Sequence, residues 1–512
     1  MDYPRAYNAA VDFVDRNVEQ GRGDKPAFID PERTLTYGAL HGDCARMGRL
    51  LAEHHLEAES RIAMLVLDTV DFPVIFLGCI RAGVVPVALN TLLTTDQYEY
   101  ILADCRARAL FISAPLLATV EPILGKLPSL AHVFVVGGTA DGHHDFGSEL
   151  AAHAPDCPPA QTCADETAFW LYSSGSTGMP KGVPHVHTSA METARLYGQD
   201  VVGYREDDVV FSAAKLFFAY GLGNALSFPM SVGATTVLWP QRPTPQAVFE
   251  QLKSHQITIF GGVPTLYAAM LADPGCTAEN GSTRLRRCIS AGEALPEELG
   301  KTWKKRFGVD ILDGVGSTEM LHIFLSNRPD DVRYGRSGKA VPGYELRLVD
   351  ESNADVADGE VGELLVRAPS AASGYWNQRA KTQATFIGEW AHTGDKYIRD
   401  AQGYYEYCGR TDDMFKVSGI WVSPFEVESA LISHSAVLEA AVVAAEDDDG
   451  LLKPKAFVVL KEKPAADDLF ETLKEHVKAK VGPWKYPRWI EFVDDFPKTA
   501  TGKIQRFKLR EG

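Results

Sequence analysis

Between Arg61 and Asn90 the chain reads R-I-A-M-L-V-L, then F-P-V-I-F-L-G-C-I-R-A-G, then V-V-P-V-A-L-N. A short apolar run, a longer run at helical spacing and a second short apolar run make a strand, a helix and a strand. Two strands so joined lie parallel with the helix covering one face. The pattern recurs. Strands are expected at Ala109 to Ile112, Ala131 to Val136, Thr235 to Leu238, Ile257 to Phe260, Arg287 to Ser290 and Ile311 to Val315, with helices between them, one starting at Thr244. The fold class is therefore α/β, with parallel-sheet subdomains. At 512 residues the chain is too long for one core. Beyond Tyr334 the texture changes to short strands and turns, Y-E-L-R-L-V-D, G-E-L-L-V-R and Y-Y-E-Y-C-G-R, a β-rich subdomain. From Phe415 a compact α+β unit follows: helix Pro424 to Ser433, strands Val437 to Ala445 and Lys455 to Leu460, helix Ala465 to Lys480 and strand Trp489 to Val493.

The apolar run Ala168 to Tyr172 enters Y-S-S-G-S-T-G-M-P-K-G, where three glycines, three serines and a threonine fall within eleven residues. Glycines let backbone N–H groups close on an anion. The hydroxyls of Ser173, Ser174, Ser176 and Thr177 and the ammonium of Lys181 add donors, so this is a phosphate loop. A Walker loop is excluded, because it needs Gly-Lys-Ser/Thr, and here Pro180 precedes Lys181 and Gly182 follows it.

Further candidates stand where strands end, the place α/β sheets put ligands. Ala291-Gly292-Glu293-Ala294 follows one strand, and Gly316-Ser317-Thr318-Glu319 follows the next. The Glu319 carboxylate is a hard ligand suited to Mg²⁺ beside a phosphate. A helix N-cap is the alternative for Ser317 and Thr318. Asp395, in T-G-D, is placed to accept both hydroxyls of a ribose. Lys503, in P-K-T-A-T-G-K, follows a glycine and two threonines, a setting for a phosphate partner; solvent is the alternative. F-S-A-A-K-L-F-F-A-Y-G-L-G-N, from Phe211, lacks the third glycine of a dinucleotide fingerprint. Its aromatic cluster Phe217, Phe218 and Tyr220 beside Ala219 and Gly221 suits one wall of a flat apolar pocket, or plain core packing.

Other features read as structure. His185 and His187 have no Cys or carboxylate beside them in sequence, which favours packing or hydrogen bonding. His143, His144 and Asp145 are expected in a polar surface loop, not a metal site. The acidic run Glu446 to Asp449 reads as a hairpin turn, and Pro158 to Glu166 as a linker. Formal net charge is -17, which opposes a nucleic-acid or anionic-membrane partner. The eight cysteines form no C-x-x-C pair and are expected reduced, which with an acidic N-terminus and no spanning apolar segment places the protein in the cytoplasm.

Together these motifs resemble, over nearly the whole chain, the adenylate-forming superfamily of acyl-CoA synthetases, peptide-synthetase adenylation domains and luciferases. The matching segments are 173–182, A-G-E-A at 291–294, G-S-T-E at 316–319, T-G-D at 393–395, G-R-T-D-D-M-F-K-V-S-G at 409–419 and T-G-K at 501–503. Within the superfamily, F-S-A-A-K-L-F-F-A-Y-G-L-G-N and G-S-T-E-M-L-H-I-F-L-S-N look like benzoate-CoA ligases and their hydroxybenzoate relatives. Gly261-Gly262 departs from the pattern, where a bulkier first residue is expected.

The resemblance implies an ATP-dependent, Mg²⁺-assisted ligase that converts benzoate, or a simply substituted benzoate such as 4-hydroxybenzoate, to acyl-AMP and then to a coenzyme A thioester. It implies an N-terminal adenylation domain at 1–411 and a mobile C-terminal domain at 412–512. ATP and AMP would be held by Ser173, Ser174, Gly175, Ser176, Thr177, Gly178, Lys181, Ala291, Gly292, Glu293, Ala294, Asp313, Gly314, Ser317, Thr318, Asp395 and Arg410. Lys503, Thr318 and Glu319 would be catalytic, and Glu319 the metal ligand. Phe218, Ala219, Tyr220, Gly221, Gly316, His322 and Ile323 would line the aryl-acid pocket, with Lys416, Ser418 and Gly419 on the coenzyme A path and Asp412 as hinge. A homodimer is the candidate assembly. The rival classes are a carrier-protein-loading adenylation enzyme, opposed by the lack of carrier-domain sequence after Lys503, and a non-catalytic nucleotide-binding protein.

Overall fold

The computed structural model describes residues 3–175, 178–411, 413–417, 420–447, 451–462, 468–482, 485–498 and 504–510. The expected crossover unit is present: strand Arg61–Leu65, helix Asp71–Arg81 and strand Val85–Ala88, the two strands parallel. Burial explains the near-continuous apolar sequence, since Ile62 to Leu65 and the helix from Phe72 to Arg81 are buried throughout. This unit belongs to a seven-stranded sheet, whose other members include Ala109–Ser113, His132–Val136, Thr167–Gly175 and Gly178–Val186.

A nine-stranded sheet holds Val209–Ser212, Thr235–Val237, Ile259–Gly262, Arg287–Ser290 and Ile311–Gly316, paired in parallel. Its far side continues with Pro26–Ile29, parallel to Thr235–Val237, and ends at Thr34–Thr36, antiparallel to Pro26–Ile29. Helix Pro245–Ser254 starts as expected, the Thr244 side chain accepting from the Ala247 N–H and a proline occupying the first turn. The β-rich subdomain is a five-stranded antiparallel sheet built on Glu345–Val349, Val361–Arg367, Trp390–Arg399 and Tyr405–Arg410. Past residue 412 come the hairpin Phe415–Val417 and Ile420–Val422, helix Pro424–Ile432, strands Val437–Glu446, Leu452–Leu460 and Trp489–Phe492, and helix Leu469–Val481. Glu446 pairs with Leu452, as a hairpin requires, while 448–450 lie outside the described residues.

One expectation needs correction. The polar loop expected around His143, His144 and Asp145 is not a plain loop, because His144–Asp145 forms a short strand beside His132–Val136. The Pro158 to Glu166 segment, expected as a linker, is hydrogen-bonded to its surroundings: Tyr7 N–H donates to Thr162 O at 3.0 Å and Ala160 N–H to Arg81 O at 2.8 Å. Cys44, Cys79, Cys105, Cys276, Cys288 and Cys408 are buried, Cys157 and Cys163 partly so, and all eight are free thiols. Among the described residues no helix is long and apolar enough to cross a membrane.

Candidate functional site

The expected phosphate loop is the end of a hairpin. Thr167–Gly175 and Gly178–Val186 pair antiparallel, with Ser173 opposite Lys181 and Gly175 opposite Gly178. A strand leads in, as expected, but a strand rather than a helix leads out, which separates this loop from phosphate loops built on a helix N-terminus. Ser176 and Thr177 lie outside the described residues, as do the side chains of Ser174, Gly175 and Gly178. The hairpin is anchored at its base: Trp376 N–H donates to Gly182 O at 2.9 Å, the Trp376 indole donates to Asp104 O at 3.0 Å, and Tyr172 OH donates to the Asp104 carboxylate at 2.6 Å.

Glu319 faces this hairpin. Its Oε1 accepts from Tyr375 OH at 2.8 Å and from Ser173 Oγ at 3.4 Å, and Lys181 Nζ stands 3.9 Å away over the Tyr375 ring. The Lys181 and Glu319 side chains are 18% and 17% exposed. Burial holds the Lys181 ammonium below its ordinary range and Glu319 opposes the shift, while Lys381 and Arg410 add to it. Behind Glu319, buried His185 donates from Nε2 to Thr318 O at 2.9 Å and stacks on Phe169. His187 accepts the Ala9 N–H on Nδ1 at 3.1 Å. Both histidines thus pack and bond as the sequence suggests. Ser317 caps a turn, its Oγ accepting from Met320 N–H at 3.2 Å; no helix begins there, so the N-cap alternative is set aside.

The same turn leads from Gly316 to His322 and Ile323, three of the residues expected to line the aryl-acid pocket. Gly316, opposite Ile323 in the hairpin Ile311–Gly316 and Ile323–Ser326, has no room for a side chain: a Cβ would fall 2.5 Å from His322 O. His322 is 2% exposed and bonds through Nε2 to Tyr220 O at 3.1 Å, its ring edge-on to Phe228 at 4.4 Å. Burial lowers its pKa to about 3, so it is neutral. Its Nδ1 has no hydrogen-bond partner among the described residues. Phe218, Ala219 and Tyr220 are partly buried at the start of helix Ala219–Leu222, whereas Phe217 is core. Core packing thus holds for Phe217, while Phe218, Ala219 and Tyr220 lie partly buried against that core. A Cβ on Gly221 would sit 2.0 Å from Lys215 O and one on Gly223 2.2 Å from the His322 ring. Gly261-Gly262 also has a physical reason. A Cβ on Gly262 would lie 2.8 Å from the Tyr267 ring and one on Gly261 3.0 Å from the Asn224 amide, and Gly262 O accepts from Tyr220 OH at 3.1 Å.

Toward the sheet, Asp313 is fully buried beneath Leu295, whose N–H donates to Oδ2 at 3.4 Å, and burial raises its pKa to about 8. Ala291 is buried, and Gly292 adopts φ +95° with nothing within 4 Å of where a Cβ would stand. Glu293 and Ala294 continue that loop. Across the β-rich sheet Asp395 pairs with Arg410, whose guanidinium lies 3.0 Å from the Asp395 carboxylate and donates to Thr393 O at 2.8 Å. Lys503, Asp412, Ser418 and Gly419 lie outside the described residues, as does the Lys416 side chain.

Several contributors escaped the motif reading. Tyr375 and Trp376 sit in a turn-rich S-G-Y-W-N whose only signal is an aromatic pair. Asp68 signals itself as a carboxylate inside an apolar run; it is 4% exposed and its Oδ1 accepts from Leu216 N–H at 3.3 Å. Lys215, beside that carboxylate, donates to Gln241 O at 2.8 Å and to Trp239 O, fixing the entry to the Phe217–Tyr220 segment.

A hydroxyl- and glycine-rich hairpin facing a glutamate, at the strand ends of two mixed, largely parallel sheets, defines a nucleotide-handling α/β protein. The chain belongs to the AMP-binding enzyme family, whose model matches residues 14–376, with the C-terminal domain of the same enzymes matching 426–503. It is 59% identical over 509 residues, 99% of this chain and 94% of the relative, to a 4-hydroxybenzoate–CoA/benzoate–CoA ligase of Rhodopseudomonas palustris. A benzoate–CoA ligase of Thauera aromatica is 58% identical, covering 99% of this chain and 96% of its own. Among solved structures, anthranilate CoA ligase AuaEII in complex with anthranoyl-AMP superposes with a TM-score of 0.96 at 44% identity, covering 100% of this chain and 98% of that one. A benzoate CoA ligase from Burkholderia xenovorans LB400 gives 0.91 at 50% identity, covering 98% and 100%.

Proposed function

We propose that this chain is an AMP-forming aryl-CoA ligase that activates benzoate. The benzoate carboxylate oxygen attacks the α-phosphorus of ATP and pyrophosphate leaves; the coenzyme A sulfur then attacks the acyl carbon and AMP leaves with the bonding pair. One observation carries the reading: the single turn from Gly316 to Ile323 supplies Glu319 to the Ser173 and Lys181 side and His322 and Ile323 to the Tyr220 side. A flat acid seated along that turn would meet rings at one end and phosphate-binding groups at the other.

In this reading the 173–182 hairpin and Lys181 hold the triphosphate. Glu319 suits Mg²⁺, since a single carboxylate with hydroxyl oxygens nearby and phosphate completing the shell is a hard oxygen set. The ion would offset phosphate charge, while Tyr375 and Ser173 hold the carboxylate in place. Ala291 to Ala294, Asp313, Gly314, Ser317, Thr318, Asp395 and Arg410 surround the nucleoside. Phe218, Ala219, Tyr220, Gly221, Gly316, His322 and Ile323 line the aryl pocket, where the glycines keep its walls close. Lys503 supplies a cation to adenylation. A C-terminal domain at 412–512 turns about Asp412 for the second step, bringing Lys416 to Gly419 toward the coenzyme A path in place of Lys503. Gly419 suits that path because it adds no side chain. The cytoplasm, where thiols stay reduced, fits the free cysteines.

A second acid, 4-hydroxybenzoate, is favoured by the buried, unpartnered His322 Nδ1, an acceptor suited to a phenol donor. The test is to incubate the protein with ATP, Mg²⁺, coenzyme A and a panel of aryl and linear alkyl acids, identifying thioesters by mass. Benzoyl-CoA with free coenzyme A as the acceptor is expected to form fastest. A preference for long linear acids, or a requirement for a carrier protein, would overturn the proposal.

A further inference from the structure

Away from the ligase site, three imidazoles from separate elements converge at the edge of the seven-stranded sheet. His54 caps helix Tyr37–Glu53, His132 opens strand His132–Val136, and His144 lies on the edge strand His144–Asp145. Ring centroids are 4.7 Å apart for His54 and His144, 4.9 Å for His54 and His132, and 5.6 Å for His132 and His144. One nitrogen from each lies within 4.8 Å of the others. Glu149, on helix Phe146–Ala152, joins two of them: Oε2 contacts His54 Nε2 at 2.7 Å and Oε1 contacts His144 Nδ1 at 2.6 Å.

We propose that His54, His132 and His144 bind a divalent transition-metal ion, Zn²⁺ by chemical preference, with Glu149 orienting two of the rings. A ring that donates one N–H to a carboxylate presents a lone pair on its other nitrogen, the arrangement found around metal-bound histidines. The Glu149 contacts thus leave Nδ1 of His54 and Nε2 of His144 as ligand atoms. Three imidazoles select Zn²⁺, Co²⁺, Ni²⁺ or Cu²⁺ over the hard Mg²⁺ of the ligase reaction. Zinc–nitrogen bonds of about 2.0–2.1 Å place tetrahedral ligands about 3.3 Å apart, so the rings must draw together by side-chain rotation. The half-exposed His144, at 34%, gives the ion access, while His54, at 12%, is the inner ligand. Bound there, the ion ties the sheet edge to the end of helix Tyr37–Glu53. Packing alone is the competing account, since His54 and His144 also lie against Phe134 at 4.9 and 4.8 Å.

The experiment is titration of the chelator-treated full chain with ZnCl₂ and with CoCl₂, read by elemental analysis and by the visible ligand-field absorption of Co²⁺. The expected result is one equivalent bound in the presence of excess MgCl₂. His144→Gln and His132→Asn should each abolish that binding, Glu149→Gln should weaken it about 10- to 100-fold, and thioester formation should be unchanged in all three. X-ray absorption on the parent would show a shell of imidazole nitrogens, which decides the matter even if a variant does not fold. No stoichiometric binding, binding that survives His144→Gln, or a shell without imidazole would overturn the proposal.

Discussion

Tyr375 shows how a residue outside any motif sets the geometry of one inside. Its hydroxyl donates to Glu319 Oε1 at 2.8 Å, on the oxygen nearest Ser173 and Lys181. A hydrogen bond to a charged group contributes about 1.5–3 kcal/mol. If Glu319 positions Mg²⁺, Tyr375→Phe should therefore lower kcat/KM for ATP roughly ten- to a hundredfold and raise the Mg²⁺ concentration needed for half-maximal rate. Steady-state kinetics across a Mg²⁺ series checks both, and an unchanged Mg²⁺ dependence would separate Tyr375 from the metal. Residue chemistry was legible where a spacing carries it: Ser173, Lys181 and Glu319 were named from their motifs, and the structure brings these three together. Tyr375 and Asp68 were not, because a lone tyrosine in a turn and a lone acid in the bend after a strand gain meaning only from partners 56 and 148 residues away.

At the scale of elements, alternating apolar runs placed nearly every central strand, since a strand covered on both faces leaves an uninterrupted apolar signature. The same reasoning missed the second arm of the phosphate hairpin. Gly178–Val186 contains two glycines and two prolines, a composition that argues against a strand. It also missed the pairing of Pro26–Ile29 with Thr235–Val237, which joins segments about two hundred residues apart. The His144–Asp145 strand went unread for a different reason: it is two residues long and its aromatic partners come from elsewhere. The hairpin's exit carries a pH prediction. Burial lowers His185 and His187 to about 4, against an ordinary value of 6.5. Between those values the unfolded chain takes up protons the folded chain refuses. Their contribution is therefore present above pH 6.5 and is lost as pH falls toward 4, by about 1.4 kcal/mol per unit for each group. His187→Gln, which keeps an acceptor for the Ala9 N–H, should flatten the fall of Tm between pH 6.5 and 4.5. A curve parallel to the parent's would mean that His187 titrates normally.

At the scale of the molecule, the residues flanking the lysine motif are held firmly within the C-terminal unit. Buried Glu428 accepts from Arg506 at 2.8 and 3.1 Å and from Val442 N–H at 2.7 Å; Lys498 pairs with Glu439 at 2.9 Å and bridges to Ile504. The unit also leans on the β-rich sheet, with Phe425 edge-on to Tyr407 at 5.4 Å. The unit has its own core, and if it turns as a body, as proposed, the two half-reactions become separable by mutation. In the proposed reading, Lys503→Ala removes a cation that would serve adenylation while negative charge is gathered, an expected loss of roughly 3–4 kcal/mol, or more than a hundredfold in rate. It should leave the conversion of supplied benzoyl-AMP and coenzyme A to thioester near the parent rate. Asp412→Pro should do the reverse if Asp412 is the hinge: proline fixes φ and restricts the residue before it, so adenylation should be spared and the turn to the second step slowed. Pyrophosphate exchange and single-turnover thioester formation, measured on both variants, should therefore cross. If Lys503→Ala fails on benzoyl-AMP while folded, or Asp412→Pro loses both steps equally, the C-terminal unit does not alternate between two faces, and one fixed arrangement must serve both reactions.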